Sequence, residues 1–220
     1  MTDSQPIRVE IYSDPICPWC YIGKRRFHAA LESRTALELE ITWMPFQLNP
    51  DMPEEGMDRQ TYLERKFGGA VGAKSVYDPI VDAGRSSGID FDFEAIVSTP
   101  NTMHSHRLIH YSKQHGRQDQ VTNSLFRAYF ERGDDIGEIE MLVECATEAG
   151  LEASAARDYL DSDEDFQQIT AQDMMARQMG VQGVPLFVFE RKYAVSGAQS
   201  PEVFGQVLDR VVDEIGAAAD

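Results

Sequence analysis

The sequence predicts an α/β fold in the order β-α-β, then a large all-helical insertion, then α-β-β-α. Three observations predict it. Near the N-terminus, two segments that alternate apolar and polar residues flank a stretch with helical spacing. A long middle region shows helical patterns and no convincing strand. Strand patterns return near the C-terminus as a hairpin, and one amphipathic helix follows.

The first half of this unit is predicted from alternation and helical spacing. The first strand covers residues 7–12 (IRVEIY) and the second covers residues 37–46 (LELEITWMPF). The segment between them carries apolar residues at helical spacing, namely Ile22, Phe27, Ala30 and Leu31. The three elements form the opening half of a small α/β unit.

The middle region is predicted to be helical throughout. We expect helices over 58–68, 73–88, 98–116, 119–133, 138–150 and 153–161, followed by a long helix over 163–179. Pro79 is expected to kink or end the second of them. Ser98 or Thr99, before Pro100, is expected to start the third. Several of these segments close on glycine, which is a common helix stop.

The last part of the chain completes the α/β unit. Residues 185–190 (PLFVFE) and 192–197 (KYAVSG) predict a tight hairpin. The final helix is predicted to begin with Ser200 as N-cap and Pro201 as its first residue. The predicted division is therefore a discontinuous α/β domain, residues 1–50 and 163–220, around an inserted α-helical domain, residues 51–162.

The composition excludes some classes of partner. The formal net charge of −17 repels phosphate backbones, so we expect neither nucleic acid nor an anionic membrane as a partner. We find no signal-peptide pattern at the N-terminus and no apolar run long enough to span a bilayer. The expected compartment is the cytoplasm, where thiols stay mostly reduced. The oligomeric state stays open between monomer and homodimer.

Two of the three cysteines stand close together in SDPICPWCYIG, where the first strand gives way to a helix. Three interpretations apply to Cys17 and Cys20. A structural disulfide that closes so small a loop would stabilise the fold by only about 2 kcal/mol, and the reducing cytoplasm opposes its formation. As half of a zinc site, the pair lacks a second pair of ligands at suitable spacing. A redox couple is the interpretation that the position favours.

The position at a helix start favours a reactive thiol. If Cys17 is the N-cap, Pro18 occupies the first helical position, where a missing N–H costs nothing. We expect the Cys17 sulfur to accept hydrogen bonds from the free N–H groups of the first turn, which favours the thiolate. Cys17 would then attack a disulfide, and Cys20 would resolve the mixed disulfide. Three cations further along the helix are expected on its exposed face, namely Lys24, Arg25 and Arg26.

The remaining candidate ligands predict no metal site. Four of the five histidines cluster in one predicted helix, namely His104, His106, His110 and His115. Only His106 and His110 share a helical face, so hydrogen-bonded or solvated histidines are the simpler interpretation. Cys145 lies on an apolar helix face, where a buried inert thiol is expected.

Several motifs together resemble the DsbA-like branch of the thioredoxin superfamily, closest to the FrnE-type cytoplasmic disulfide oxidoreductases. They are CPWC after a first strand, PNTMHSHRL in a helical insertion, and GVQGVPLFVF and SGAQSPEVF near the end. The resemblance implies a thioredoxin fold with a helical insertion. It also implies a cis peptide bond between Val184 and Pro185, packed beside the cysteines. Val184 would pair with the substrate through its backbone, Pro185 would shape the site, and Pro18 and Trp19 would also contact substrate.

The same resemblance leaves a second chemistry open. The 2-hydroxychromene-2-carboxylate isomerases and kappa-class glutathione transferases are similar, and they depend on glutathione. In those relatives the attacking position is typically serine and the resolving cysteine is absent. Both cysteines are present here, which favours dithiol chemistry on polypeptide or small thiol and disulfide substrates. No tightly bound cofactor is expected, and glutathione is a possible co-substrate. A non-catalytic binding module is the third alternative.

Overall fold

The computed structural model describes residues 6–219 and begins with a parallel β-α-β unit. Strand β1 (Ile7–Ser13) leads to helix α1 (Pro18–Leu31) and then to strand β2 (Leu39–Pro45). The two strands pair in parallel, with Ile11 opposite Trp43. The side chains of β1 are largely buried, as expected for a central strand of a covered sheet.

The middle region is mainly helical. In chain order it contains β3 (Met57–Asp58), α2 (Arg59–Phe67), α3 (Ala70–Ser86), β4 (Ser98–Thr99), α4 (Met103–Tyr111), a 3-10 turn over 112–115, α5 (Gln118–Arg127), a π-helical turn over 128–132, α6 (Ile139–Glu148) and α7 (Ala153–Leu160). All of these helices fall between residues 51 and 162, the range in which the sequence predicted an insertion.

Three expectations for this region are wrong. Strands β3 and β4 form a two-stranded antiparallel sheet in a region where no strand was predicted. Because Ser98 and Thr99 are engaged in that sheet, α4 begins only at Met103, with Thr102 as N-cap. The third is an end of the helix at Pro79, because α3 continues through this residue to Ser86. The neighbouring Ile80 is buried and holds the helix against the core, which offsets the lost backbone hydrogen bond.

The C-terminal part returns to the first sheet, as predicted. Helix α8 (Phe166–Gln178) is followed by β5 (Leu186–Phe189), β6 (Tyr193–Ser196) and α9 (Pro201–Ala219). The sheet order is β2-β1-β5-β6, with β1 and β5 antiparallel. Phe27 of α1 lies 5.4 Å from the rings of both Phe187 and Phe204, so α1, β5 and α9 share one apolar layer.

The helices of the middle region share a core with the sheet. Tyr21 of α1 stacks on Phe126 of α5 at 5.0 Å between ring centroids. Gln118, the first residue of α5, bonds both backbone groups of Trp43 at the outer edge of β2: its Oε1 accepts from the N–H at 3.2 Å, and its Nε2 donates to the carbonyl at 3.4 Å. In the part of the chain described here, no helix is long and apolar enough to cross a membrane.

Candidate redox site

The turn between β1 and α1 places the two cysteines at the start of a helix. Cys17 is the N-cap of α1 and Pro18 occupies its first position, as the sequence predicted. The Cys17 N–H donates to the Asp14 carbonyl at 2.9 Å, and the Cys20 N–H donates to the Cys17 carbonyl at 3.0 Å. These bonds close the turn and bring the two side chains to the same end of the helix.

The two thiols are free and almost buried. Cys17 is 4% exposed and Cys20 is 1% exposed. No N–H group of the first turn forms a capping hydrogen bond with the Cys17 sulfur, so that expectation is wrong for the neutral thiol. The thiol instead donates to the carbonyl of Val184, with Sγ and O 3.6 Å apart. A protonated thiol is a donor, so a carbonyl satisfies it better than another N–H group.

The surroundings of the Cys20 sulfur disfavour its ionised form. Burial, followed by contact with Cys17, raises the pKa of the Cys20 thiol well above its ordinary value. The Ser13 hydroxyl and the Asp14 backbone N–H face the same sulfur and act in the opposite direction. Cys20 is therefore a protonated, inward-facing thiol that must lose its proton before it can attack.

The peptide bond between Val184 and Pro185 is cis, as the resemblance implied. Pro185 is buried against α1, where a Cβ added to Gly23 would lie 3.0 Å from its Cγ. Glycine at position 23 therefore lets the helix approach the loop that carries Val184. Val184 is half-buried and Trp19 is 37% exposed, so these two side chains form the open rim beside Cys17.

The cations that follow the cysteines do not line an exposed face, so that expectation is wrong. Lys24 is 5% exposed, and its ammonium group lies 2.8 Å from Asp119 of α5. Arg25 and Arg26 are half-buried. Arg26 donates to the Ala198 carbonyl at 2.7 Å, in the loop before α9. Lys24 and Arg26 thus connect α1 to other parts of the protein, whereas Arg25 donates to the Tyr21 hydroxyl within α1.

A buried acid that the sequence did not predict lies beneath the turn. Asp14 is fully buried, and its carboxyl group accepts from the Leu48 N–H at 2.7 Å. Burial raises the pKa of Asp14 to about 7. His106 of α4 is 3% exposed, with Nε2 3.7 Å from Asp14 Oδ1, and burial lowers the pKa of His106 to about 4. The sequence did carry a signal for this acid: it directly follows a buried strand and lies three residues before Cys17.

The chain is similar to known proteins in sequence and in fold. Residues 8–209 match the DSBA-like thioredoxin domain. The chain belongs to this family. A probable DsbA oxidoreductase from Streptomyces coelicolor is 33% identical, with a TM-score of 0.84 and coverage of 94% of this chain and 91% of that one.

Two further structures share the fold of this DSBA-like protein. A 2-hydroxychromene-2-carboxylate isomerase is 17% identical, with a TM-score of 0.71 and coverage of 97% and 99% of the two chains. The cytosolic disulfide reductase DsbM from Pseudomonas aeruginosa, in a structure with GSH, is 18% identical, with a TM-score of 0.64 and coverage of 94% and 99%.

The other candidate ligands of this DSBA-like protein lie apart from the cysteines. Within residues 6–219, no group of three or more histidine, cysteine or acidic side chains is arranged to hold a metal ion. His104 stacks edge-on against Phe166, and its ring nitrogen contacts Arg107. Cys145 is fully buried, and burial raises the pKa of its thiol to about 12, as expected for an inert side chain.

A groove of about 820 Å³ lies between the loop after β2 and helices α4 and α8. Its lining includes three acids, namely Glu54, Asp163 and Asp165. Gln47, two residues after the end of β2, also lines this groove. The next residue, Leu48, bonds Asp14, so the groove wall is joined to the turn that carries the cysteines.

Proposed function

We propose that this DSBA-like protein is a thiol-disulfide oxidoreductase in which Cys17 attacks and Cys20 resolves. One observation carries the proposal: two free thiols stand at a helix start, and the first of them contacts the carbonyl of Val184. Membership of the family supports it. Cys17 is the attacking thiol because it adjoins the open rim, whereas Cys20 faces inward.

The exchange proceeds through a mixed disulfide. The Cys17 thiolate attacks one sulfur of a substrate disulfide, so the Cys17–substrate bond forms and the other substrate sulfur leaves as a thiolate. Cys20 then loses its proton and attacks the Cys17 sulfur. The Cys17–Cys20 bond forms, the substrate bond breaks, and the second substrate thiolate leaves. The substrate gains two electrons and the cysteine pair loses two; the reverse sequence oxidises a dithiol.

The substrate would bind along the loop that contains Val184. Cys17 is 4% exposed, so an extended polypeptide segment or a slender thiol reaches it more readily than a folded surface does. We propose that the Val184 backbone pairs with such a segment as a neighbouring strand would. Pro185 shapes this loop, and Pro18 and Trp19 form the opposite side of the entrance.

We propose a cytoplasmic protein without a tightly bound cofactor that exchanges with glutathione. The fold shared with a cytosolic disulfide reductase whose structure includes GSH supports this choice. We also propose that residues 1–50 and 163–220 act as the thioredoxin-like domain and residues 51–162 as the inserted one.

Reduction of insulin by glutathione tests the assignment. Cys17→Ser should abolish turnover, because the thiol that attacks the substrate is lost and Cys20 is only 1% exposed. Cys20→Ser should accumulate a mixed disulfide at Cys17, visible by mass spectrometry. Cys145→Ser is the matched control, because that thiol is buried elsewhere, and it should keep the parent rate. If both active-site variants reduced insulin like the control, the assignment would be wrong.

The alternative chemistry is tested on the same variants. A glutathione-dependent isomerase or transferase needs no resolving thiol, so isomerisation of 2-hydroxychromene-2-carboxylate would survive the loss of Cys20. Activity that survives both Cys17→Ser and Cys20→Ser would replace the redox assignment with that alternative.

A further inference from the structure

The groove between the loop after β2 and helices α4 and α8 carries three carboxylates that are largely unneutralised. Glu54 and Asp163 are exposed, and within residues 6–219 neither forms an ion pair. Asp165 is half-buried, with the His110 ring 3.8 Å from its carboxylate, and it accepts from the Tyr159 hydroxyl at 2.9 Å. The groove therefore presents negative charge to whatever enters it.

A buried arginine beside the groove has no N–H group left for these carboxylates. Arg107 of α4 is fully buried, and it contacts His104 Nδ1 at 2.9 Å. Its other N–H groups donate at 2.7–3.1 Å to four backbone carbonyls, those of Tyr159, Leu160, Ser162 and Glu164. An arginine has five N–H groups, so all are used. Arg107 thus fixes the loop between α7 and α8, which carries Asp163 and Asp165.

The wall of the groove also carries an amide oxygen without a hydrogen-bond partner. Gln47 is 5% exposed and lines the groove. Its Nε2 is turned towards Asn101 Oδ1, at 3.4 Å, an atom that also accepts from the Met103 N–H. This contact orients the amide, and within residues 6–219 no group donates to Gln47 Oε1. A buried carbonyl oxygen without a donor is costly, so a ligand that supplies one is favoured.

These groups favour a cationic ligand with several N–H donors. Carboxylates and a free carbonyl oxygen are all acceptors, and an ammonium or guanidinium group satisfies several of them at once. A metal ion fits less well, because in the part of the chain that the structure describes no three histidine, cysteine or acidic side chains converge on one point. The volume of about 820 Å³ is that of a site for a ligand of many atoms.

The groove lies next to the rim of the redox site. Leu48 follows Gln47 in the chain and packs against the same apolar cluster as Val184. Val184 in turn contacts the Cys17 thiol. A polypeptide whose cysteine reacts at Cys17 can therefore lay the residues that flank this cysteine along the groove.

We propose that the groove selects polypeptide substrates that carry lysine or arginine a few residues from the reacting cysteine. The inference rests on the proposed function and names its substrate class. The carboxylates of Glu54, Asp163 and Asp165 attract the cationic side chain, and Gln47 Oε1 accepts a hydrogen bond from it. The net charge of −17 attracts cations to the whole surface, whereas the groove makes the position of the cation matter.

A series of peptide disulfides tests this selection. Each peptide is neutral apart from two adjacent lysines, and its single cysteine is linked to thionitrobenzoate. The Cys17 thiolate attacks the peptide sulfur, the Cys17–peptide bond forms, and coloured thionitrobenzoate leaves with the electron pair. The lysines are placed at increasing distances before or after the cysteine. In matched peptides, two glutamines replace them.

The parent should react about tenfold faster with lysine peptides than with glutamine peptides at one spacing, and this preference should fall at the other spacings. Glu54→Gln combined with Asp163→Asn should reduce the preference to about twofold. Asp90→Asn combined with Glu144→Gln is the matched control, because both acids are exposed and neither lines the groove; it should keep the preference of the parent.

Gln47→Met tests the unpartnered oxygen. The substitution removes Oε1 and should lower the preference for lysine peptides about threefold, because a hydrogen bond to a charged group is lost. Should this variant fail to fold, the double variant of exposed acids still decides the question.

Three results would contradict the proposal in different ways. A preference that is equal at every spacing, or that both double variants lower alike, would assign it to the overall charge. If no peptide released thionitrobenzoate, the proposed function itself would fail. The groove is then tested by fluorescence anisotropy with a labelled lysine peptide whose cysteine is alkylated, which the parent should bind more tightly than Glu54→Gln with Asp163→Asn does. Binding of spermine without binding of this peptide would overturn the choice of a polypeptide.

Discussion

Replacing Asp14 with asparagine tests whether a carboxyl group beneath the redox pair titrates near neutral pH in the folded protein. Burial raises its pKa from 3.8 to about 7. An acid whose pKa is raised by folding stabilises the protein at low pH, and this contribution is lost as the pH rises from the unfolded to the folded value. A rise of about 3 units corresponds to about 4 kcal/mol, of which about 2–3 kcal/mol falls between pH 5 and pH 8.

The assay compares free energies of unfolding in urea across that range. From pH 5 to pH 8, the free energy of unfolding of Asp14→Asn should rise relative to that of the parent by about 2–3 kcal/mol. His106, whose pKa folding lowers to about 4, destabilises the parent as the pH falls, but this contribution is common to both proteins and cancels in the difference. Asp90→Asn is the control, because Asp90 is exposed. A difference that stays flat over this range would show that Asp14 does not titrate there.

Two further substitutions test how α1 is held. Gly23→Ala would place a Cβ 3.0 Å from the Cγ of Pro185, so it should lower the free energy of unfolding by about 1–3 kcal/mol and slow the reaction of the Cys17 thiol. Gly183→Ala is the control, because the space around Gly183 is open, and it should have neither effect. Equal melting temperatures and equal Cys17 rates for the two variants would refute the contact. Burial alone would raise the pKa of Asp119, but His28 and Lys24 outweigh it and lower that pKa to about 2. Lys24→Met should therefore cost about 3 kcal/mol in urea denaturation. The double variant with Asp119→Asn should recover part of that loss, and simple additivity would contradict the ion pair.

The sequence predicted the parts of the fold that depend on local pattern. Alternation in 7–12 and 37–46 located the first two strands of the sheet, and Pro18 after Cys17 located the start of α1. Strands β3 and β4 escaped prediction because two residues are too few to show alternation. Helix α3 runs through Pro79 because tertiary packing outweighs a local breaker.

The part of the site that was predicted depends on residues close together in the sequence. Cys17 and Cys20 are three positions apart in the sequence, so their proximity needs no tertiary information. The burial of Lys24 was not visible, because it depends on Asp119, which lies 95 residues later. Likewise His106 lies in the insertion, 92 positions beyond Asp14, and its meeting with that acid is a property of the fold.

The amide of Gln118 covers part of the sheet edge at β2. By bonding both backbone groups of Trp43, it imitates a neighbouring strand at a border that would otherwise recruit one from another molecule. The insertion thus protects the β2 edge from pairing with a strand of another molecule. Excising it would uncover this border, so we expect the isolated thioredoxin-like part to self-associate.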